Sequence, residues 1–187
     1  SPIEIQTGSL FSGTPTSQVR TNTIGTSGVA GSGAGGDYAM QFGADGGGTA
    51  SYVVSQNIIH DYSFIGINFF QPGGATQDVT AVITGNQVYY TPGPGFPFAG
   101  INLDAGSGNT GSMCANITGN TVTDASGFLS GGIVVTSDSG HTFNLVGTPV
   151  GGSTGPAIAS VLNGTNTLNP AAFGGSNGTY NIVAACP

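Results

Sequence analysis

The phrase "NITGNTV" at residues 116–122 repeats, with two changes, the phrase "VITGNQV" at residues 82–88. Both phrases contain Ile-Thr-Gly-Asn and end on a valine two places after the asparagine. A chain that repeats such a phrase repeats a unit of structure, so the interval between copies indicates the fold.

The asparagine of this phrase recurs in two earlier stretches, "VRTNTI" and "VSQNII", and each copy has β-branched residues at the same two flanking places. A fifth, degenerate copy, "NGTNTL", contains Asn166 and lacks the leading apolar residue. The regular copies lie 35, 29 and 34 residues apart, at Asn22, Asn57, Asn86 and Asn120. Short repeats at nearly constant intervals of this length are typical of solenoids.

A second phrase interleaves with the first. It reads "GINFF" at residues 66–70, "GINLD" at 100–104 and "GIVVT" at 132–136, and "YAMQF" at 38–42 takes its place one unit earlier. A propeller blade has four strands and usually at least about 40 residues, whereas three short strands per coil fit the interval better. The pattern therefore predicts an all-β domain with about five parallel β-helix coils over residues 1–140. An irregular final coil and C-terminal cap are expected over residues 141–187.

Stacking of the coils explains why the phrase repeats. Strands of successive coils lie about 4.8 Å apart, so equivalent residues stand in one column. The asparagines are placed at a bend between two strands, where Asn tolerates the left-handed conformation and its amide can bond the amide of the next coil. We expect an asparagine ladder formed by Asn22, Asn57, Asn86 and Asn120.

Composition excludes several classes of function. The chain has 35 glycines, 10 prolines, one cation (Arg20) and a net charge of −7. Nucleic-acid binding and attachment to anionic membranes need basic groups, so neither is predicted, and no apolar run is long enough to insert into a membrane. A β-rich chain with few charges is better suited to an extracellular or cell-surface location than to the cytosol.

The chain contains two cysteines, Cys114 and Cys186. An even pair in such a sequence indicates one disulfide and an oxidising compartment, with two buried thiols as the alternative. The disulfide would attach the C-terminal tail to the coil that contains Cys114.

Catalytic patterns are weak. His60 and Asp61 are adjacent, but neighbouring strand residues face opposite sides, and nothing places the serine of "SDSGH" (residues 137–141) on a nucleophile elbow. Glycoside hydrolysis needs two facing carboxylates, while most aspartates here stand in turn-like contexts. The cysteines and histidines lack zinc spacing, so no cofactor is predicted beyond incidental Ca²⁺ near Asp45 or Asp104.

Half of the 16 aromatic residues lie between residues 62 and 98. Adjacent aromatics on a strand cannot both point inward, so one Phe of "FF" and one Tyr of "YY" should face outward. With "GPGFPF" they predict an exposed contact surface for proteins or sugars, or a patch covered by a local loop. Its candidate residues are Phe69, Phe70, Tyr89, Tyr90, Phe96 and Phe98.

These phrases resemble those of bacterial secreted right-handed parallel β-helix repeat proteins, chiefly over residues 38–136. The C-terminal half is similar to the closing region of large cell-surface proteins of that type. The matching residues are Gly108, Asn109, Thr110, Cys114, Asn116, Ile117, Gly119, Asn120, Thr121 and Cys186. The resemblance implies a right-handed solenoid and an adhesin or surface fibre, although some β-helices are polysaccharide lyases or hydrolases.

The sequence therefore predicts a non-enzymatic extracellular structural protein, either the subunit of a self-assembling surface filament or a module of an adhesin. Its expected partners are further copies of itself or other surface proteins. No capping helix is visible at either end, which favours end-to-end assembly. The alternative is a glycan-binding or polysaccharide-degrading module. Ice binding is a weaker alternative, because the "TNT" and "TVT" triplets are interrupted in the copies around Asn57 and Asn86.

Overall fold

The computed structural model describes residues 2–7, 13–72, 74–91, 97–106, 110–127, 129–148, 154–175 and 178–187. Short strands follow one another in groups of three, and each group forms one coil. The first four coils are β1 (Ile3–Thr7), β2 (Thr16–Arg20) and β3 (Thr23–Ile24); β4 (Tyr38–Ala44), β5 (Thr49–Ser55) and β6 (Ile58–His60); β7 (Ile65–Gln71), β8 (Asp78–Thr84) and β9 (Gln87–Tyr90); and β10 (Ala99–Ala105), β11 (Ser112–Thr118) and β12 (Thr121–Asp124). The fifth coil has β13 (Gly131–Ser137), β14 (Thr142–Val146), α1 (Gly155–Thr165) and β15 (Thr167–Asn169), and β16 (Phe173–Gly175) and β17 (Thr179–Val183) follow.

Equivalent strands of successive coils pair into three sheets. Sheet A runs β1-β4-β7-β10-β13-β16, sheet B runs β2-β5-β8-β11-β14-β17, and sheet C runs β3-β6-β9-β12-β15. The pairings between these strands are parallel. The predicted all-β fold, a solenoid of parallel coils, is confirmed.

The core is built from columns of inward-facing side chains. Alternate strand residues point inward, and the register places each above its counterpart in the next coil. One column of sheet A joins Met40, Ile67, Ile101 and Ile133, each 0% exposed. In the adjacent column the rings of Phe42 and Phe69 stack with centroids 4.7 Å apart. Each fully buried side chain of this kind contributes about 1.5–3 kcal/mol to stability.

The predicted asparagines form a continuous hydrogen-bonded column, and Asn166 of the degenerate copy extends it to a fifth rung. From the second rung on, each Oδ1 accepts the backbone N–H and the side-chain N–H of the asparagine one coil earlier, at 2.9 or 3.0 Å. Asn57, Asn86 and Asn120 are 0% exposed. These side-chain amides therefore supply hydrogen-bond partners for the backbone N–H groups at a bend, where the backbone ladder between strands is interrupted.

The left-handed conformation at these bends does not belong to the asparagine, as the sequence had predicted, but to the residue before it. Thr21, Gln56, Gly85 and Gly119 have φ of 55°, 57°, 64° and 67°. Glycine adopts this conformation without strain, which explains why Gly precedes Asn in two of the copies. The asparagine instead contributes its amide to the ladder.

Helix α1 is the one helix in the described part of the chain, and the expectation that neither end has a capping helix is wrong. The Thr154 hydroxyl accepts the Ala157 N–H at its N-terminus. Ile158 and Leu162 are 0% exposed and join the core, and α1 packs against β16, β11 and β17. At the C-terminus, the side chain of Asn166 donates to the Leu162 carbonyl. The helix thus packs against β16 and β17, the last strands of sheets A and B, at the C-terminal end of the coils.

Residues 141–187, predicted to be an irregular closing segment, continue all three sheets through β14 to β17. A disulfide joins Cys114 of β11 to Cys186, with the Cα atoms 5.7 Å apart. Pro187 lies near Thr80 and Ser112, so the tail folds back over the outer face of sheet B. In the described residues, no helix combines the length and apolar character needed to span a membrane.

Candidate functional site

The aromatic residues predicted to form one contact surface are divided among the core and two different faces. Phe69 and Tyr90 are 1% and 3% exposed, because strand alternation turns them inward, so assigning them to a surface was wrong. Phe70 and Phe98 are partly exposed on sheet A, whereas Tyr89 is partly exposed on sheet C. The remaining candidate, Phe96, lies outside the described residues.

Sheet A carries a groove of about 260 Å³ on its outer face. One wall is a row of rings from three successive coils, in which Phe64 lies 6.2 Å from Tyr38 and 5.7 Å from Phe98 between centroids. The Phe64 side chain is 38% exposed. We call this space the sheet A groove, and its lining residues are Tyr38, Phe64, Ile65, Asn68, Phe70, Phe98, Asn102 and Asp104.

Two amides from adjacent strands form the floor of the groove. Asn68 of β7 and Asn102 of β10 are paired in the register and are 4% and 6% exposed. Asn102 donates its Nδ2–H to Asn68 Oδ1 at 2.8 Å. The Oδ1 atom of Asn102 is buried and has no hydrogen-bond partner among the described residues. Because buried polar atoms are nearly always satisfied, this oxygen indicates a place where a ligand or solvent donor binds.

A carboxylate completes the groove two residues further along β10. Asp104 Oδ1 accepts a hydrogen bond from Thr136 Oγ1 at 2.8 Å. Burial raises the pKa of Asp104, and the Asp138 carboxylate raises it further against the effect of Thr136. Burial, together with the carboxylates of Asp37 and Asp104, also raises the pKa of Tyr38. The groove therefore combines an apolar wall with hydrogen-bond acceptors in a negative potential.

Searches of protein families, of characterised proteins and of solved structures find no match to this chain. The resemblance to β-helix surface proteins consequently stays a prediction.

The residue pairs considered for catalysis have other partners. His60 stacks on Tyr89 with ring centroids 5.1 Å apart, while Asp61 is 1% exposed and accepts the Thr91 backbone N–H at 2.9 Å. Ser137 donates to the backbone carbonyl of His141 and not to its ring, and both residues are buried. Neither pair forms a nucleophile and base that reach solvent together.

Two further predicted features, a metal site and a row of threonines, depend on how side chains are grouped on the coils. In the described residues, no group of three or more His, Cys, Asp or Glu side chains is placed to hold a metal ion. On sheet C, Thr23, Thr121 and Thr167 occupy one column, but Ile58 and Gln87 stand between them. This column therefore lacks the regular threonine array on which the ice-binding alternative depends.

A second groove, of about 460 Å³, lies on sheet C, where His60, Tyr89 and Thr123 are among its lining residues. It is larger than the sheet A groove. However, the buried side-chain atoms without a hydrogen-bond partner (Asp61 Oδ2, Tyr62 hydroxyl, Asn102 Oδ1 and His141 Nδ1) include none from its lining. The sheet A groove is therefore the stronger candidate for a ligand site, although it is smaller.

The sequence interpretation missed the sheet A groove, although a signal was present. "GINFF" and "GINLD" place Asn68 and Asn102 at the same position of two successive units. An amide repeated on the outer side of a strand has no role in the core, so it could have been interpreted as a surface feature. Phe64 and Phe98, which come just before those phrases, could have been assigned to the same face.

Proposed function

We propose that this chain is a non-enzymatic, extracellular β-helix module of adhesin type that binds carbohydrate in the sheet A groove. The observation that carries the proposal is the buried, unpartnered Oδ1 of Asn102 beside a row of exposed aromatic rings. The disulfide supports an extracellular setting, because such bonds persist in oxidising compartments.

A sugar fits both halves of the groove. The apolar C–H face of a pyranose ring packs on aromatic side chains such as Phe64 and Phe98, whose rings lie 28° from parallel. Its hydroxyls donate and accept hydrogen bonds, which matches the amides of Asn68 and Asn102. A concave site with an apolar wall and a few placed polar groups is the usual form of a small-ligand site.

The number of carboxylates in the groove favours binding over hydrolysis. Glycosidases of the two-carboxylate type place two such groups across the scissile bond. Asp104 is the one carboxylate among the described residues that line the sheet A groove. The chain has no lysine, and Arg20 lies in β2 of sheet B, so no strongly basic side chain faces the groove to activate a sugar.

An adhesin module is favoured over a subunit that adds end to end. Helix α1 packs against β16 and β17, the last strands of sheets A and B, where a following copy would have to pair its strands. The outer faces of the sheets are then the surfaces left for recognition.

The test is calorimetric titration with neutral oligosaccharides built from glucose, galactose or N-acetylglucosamine. Phe64→Ala and Asn102→Ala should each weaken binding of a responsive sugar by at least about tenfold, since each removes more than about 1.4 kcal/mol of contact. Tyr89→Ala on sheet C is the matched control and should leave binding unchanged. Equal effects in all three variants, or no sugar bound, would contradict the proposal. Release of new reducing ends by the wild-type protein would assign it to the enzymes instead.

A further inference from the structure

The charges around the sheet A groove are all of one sign. Asp104 lines it, and Asp37 and Asp138 are close enough to Tyr38 and Asp104 to shift their pKa values. The chain contributes few positive groups to balance them, because it has one Arg, no Lys and two His.

None of those basic side chains lies in the groove. Arg20 is on β2 at the edge of sheet B. His60 lies on sheet C against Tyr89, and the His141 ring is buried and bonded to Gln71. A sugar acid would therefore bring its carboxylate to a site that already carries negative charge and offers no cation.

The hydrogen-bonding groups also select for a donor. Asn102 Oδ1 is an acceptor that has no partner among the residues the structure describes, and Asp104 is an acceptor when ionised. Two acceptors in one small space favour a ligand that presents N–H or O–H groups. A charged donor does so most strongly, because a hydrogen bond to a charged group is roughly twice as strong as a neutral one.

The aromatic wall favours a cation attached to a ring. A positive group within about 6 Å of an aromatic face is attracted by the ring quadrupole. Phe64, Phe98 and Tyr38 form this wall, and their apolar area supports the C–H face of a sugar ring. A lysine side chain would satisfy the charge, but its flexible stem would make poorer use of the apolar area of the aromatic wall than a sugar ring would.

We infer that the sheet A groove binds an amino sugar, with the ammonium group at Asp104, the ring on Phe64 and Phe98, and a neighbouring donor on Asn102 Oδ1. This assignment rests on the proposed function and narrows it to a ligand class. An ammonium partner also compensates for holding the Asp104 carboxylate in a partly desolvated place, whose effect is visible in its raised pKa.

The experiment compares glucosamine oligomers with N-acetylglucosamine oligomers and galacturonic acid oligomers of equal length. Titrations are run near pH 6, where a sugar amine is largely protonated. The glucosamine oligomer should bind at least about tenfold more tightly than its acetylated counterpart, and the uronic acid oligomer should not bind. The preference should shrink in high salt, since screening weakens charge pairing.

Asp104→Asn isolates the charge, because the amide oxygen can still accept the Thr136 hydroxyl. It should abolish the preference for the amine, so that the glucosamine oligomer and its acetylated counterpart bind this variant with equal affinity. Asp78→Asn on sheet B removes the same charge from an exposed position outside the groove and should have no effect. Thermal unfolding of both variants checks that they fold.

The outcomes separate this inference from the function on which it rests. If neutral oligomers bind as tightly as glucosamine oligomers, and Phe64→Ala weakens both, the groove binds sugars but the amino-sugar assignment is wrong. If Asp78→Asn acts like Asp104→Asn, the attraction is general to an acidic protein and the assignment is also wrong. Tetralysine binding as tightly as the glucosamine oligomer would show a site for basic peptides. Absence of binding by every sugar would refute both proposals.

Discussion

Removing one internal rung of the asparagine ladder should destabilise the protein far more than removing the first. Asn86→Ala deletes the donations from Asn86 Nδ2 to the Val54 carbonyl and to Asn120 Oδ1, each at 2.9 Å. It also deletes the Oδ1 that accepts the backbone N–H and the amide of Asn57, at 3.0 and 2.9 Å. An orphaned buried donor costs about 1–3 kcal/mol and each further bond about 1 kcal/mol, so the loss should be about 4 kcal/mol.

The matched control is Asn22→Ala at the first coil. This residue is half-buried, and its side chain donates to the Arg20 carbonyl and to Asn57 Oδ1. Water can replace those partners, so the loss should be about 1 kcal/mol.

The assay is urea denaturation of both variants and the wild type with the disulfide intact, followed by circular dichroism and tyrosine fluorescence. Coincidence of the two signals checks that unfolding is cooperative along the coils, which a solenoid does not guarantee. Comparable m-values are needed before the free energies are compared. A difference between the two variants below about 1 kcal/mol would show that the ladder is a by-product of stacking and not a source of stability.

Three further predictions concern the disulfide and two titrating groups. Replacing Cys114 and Cys186 by serine should lower the free energy of unfolding by about 4 kcal/mol, since the bond closes a loop of 72 residues; an unchanged denaturation midpoint would contradict this. Burial lowers the pKa of His141, so on acidification the unfolded chain binds a proton at a higher pH than the folded protein does. The free energy of unfolding should therefore be highest above about pH 6.5 and fall below it, and His141→Gln should reduce this dependence on pH. Burial raises the pKa of Asp104 in the folded state, so its contribution to stability is fully present below pH 3.8 and is lost as the pH rises through the folded-state pKa. At neutral pH, Asp104→Asn should therefore raise the denaturation midpoint, and a lowered midpoint would refute this reasoning.

The fold was predictable because its strongest determinant is local and repeated. The asparagine phrase marks one bend in each coil, and a constant interval is enough to stack those bends. The sequence was less informative about conformation within the bend. Asn is a residue type that tolerates the left-handed conformation, whereas Thr21 and Gln56, which adopt it, are residue types from which it is not expected.

Helix α1 escaped prediction because its signals are mixed. Thr154 followed by Pro156 is a helix start, and Ile158, Val161 and Leu162 have helical spacing. Against them stands a high local content of glycine and asparagine, which are poor helix formers. Packing against β16 and β11 overrides that low propensity, and such packing is not visible in a single sequence.

The sheet A groove was not predicted for a different reason, and the same reason limits the length of the groove. In the second repeated phrase the inward positions stay apolar in each coil, while the outward pair changes from Asn68 and Phe70 to Asn102 and Asp104, and then to Val134 and Thr136. Core and surface columns of a solenoid are therefore largely independent, so one face can carry an unpartnered amide and a desolvated carboxylate while the coils remain stable.

Because Val134 supplies no amide, the hydrogen-bonding floor ends at β10. The groove is therefore short, which favours recognition of a few sugar units over a long chain laid along the rod.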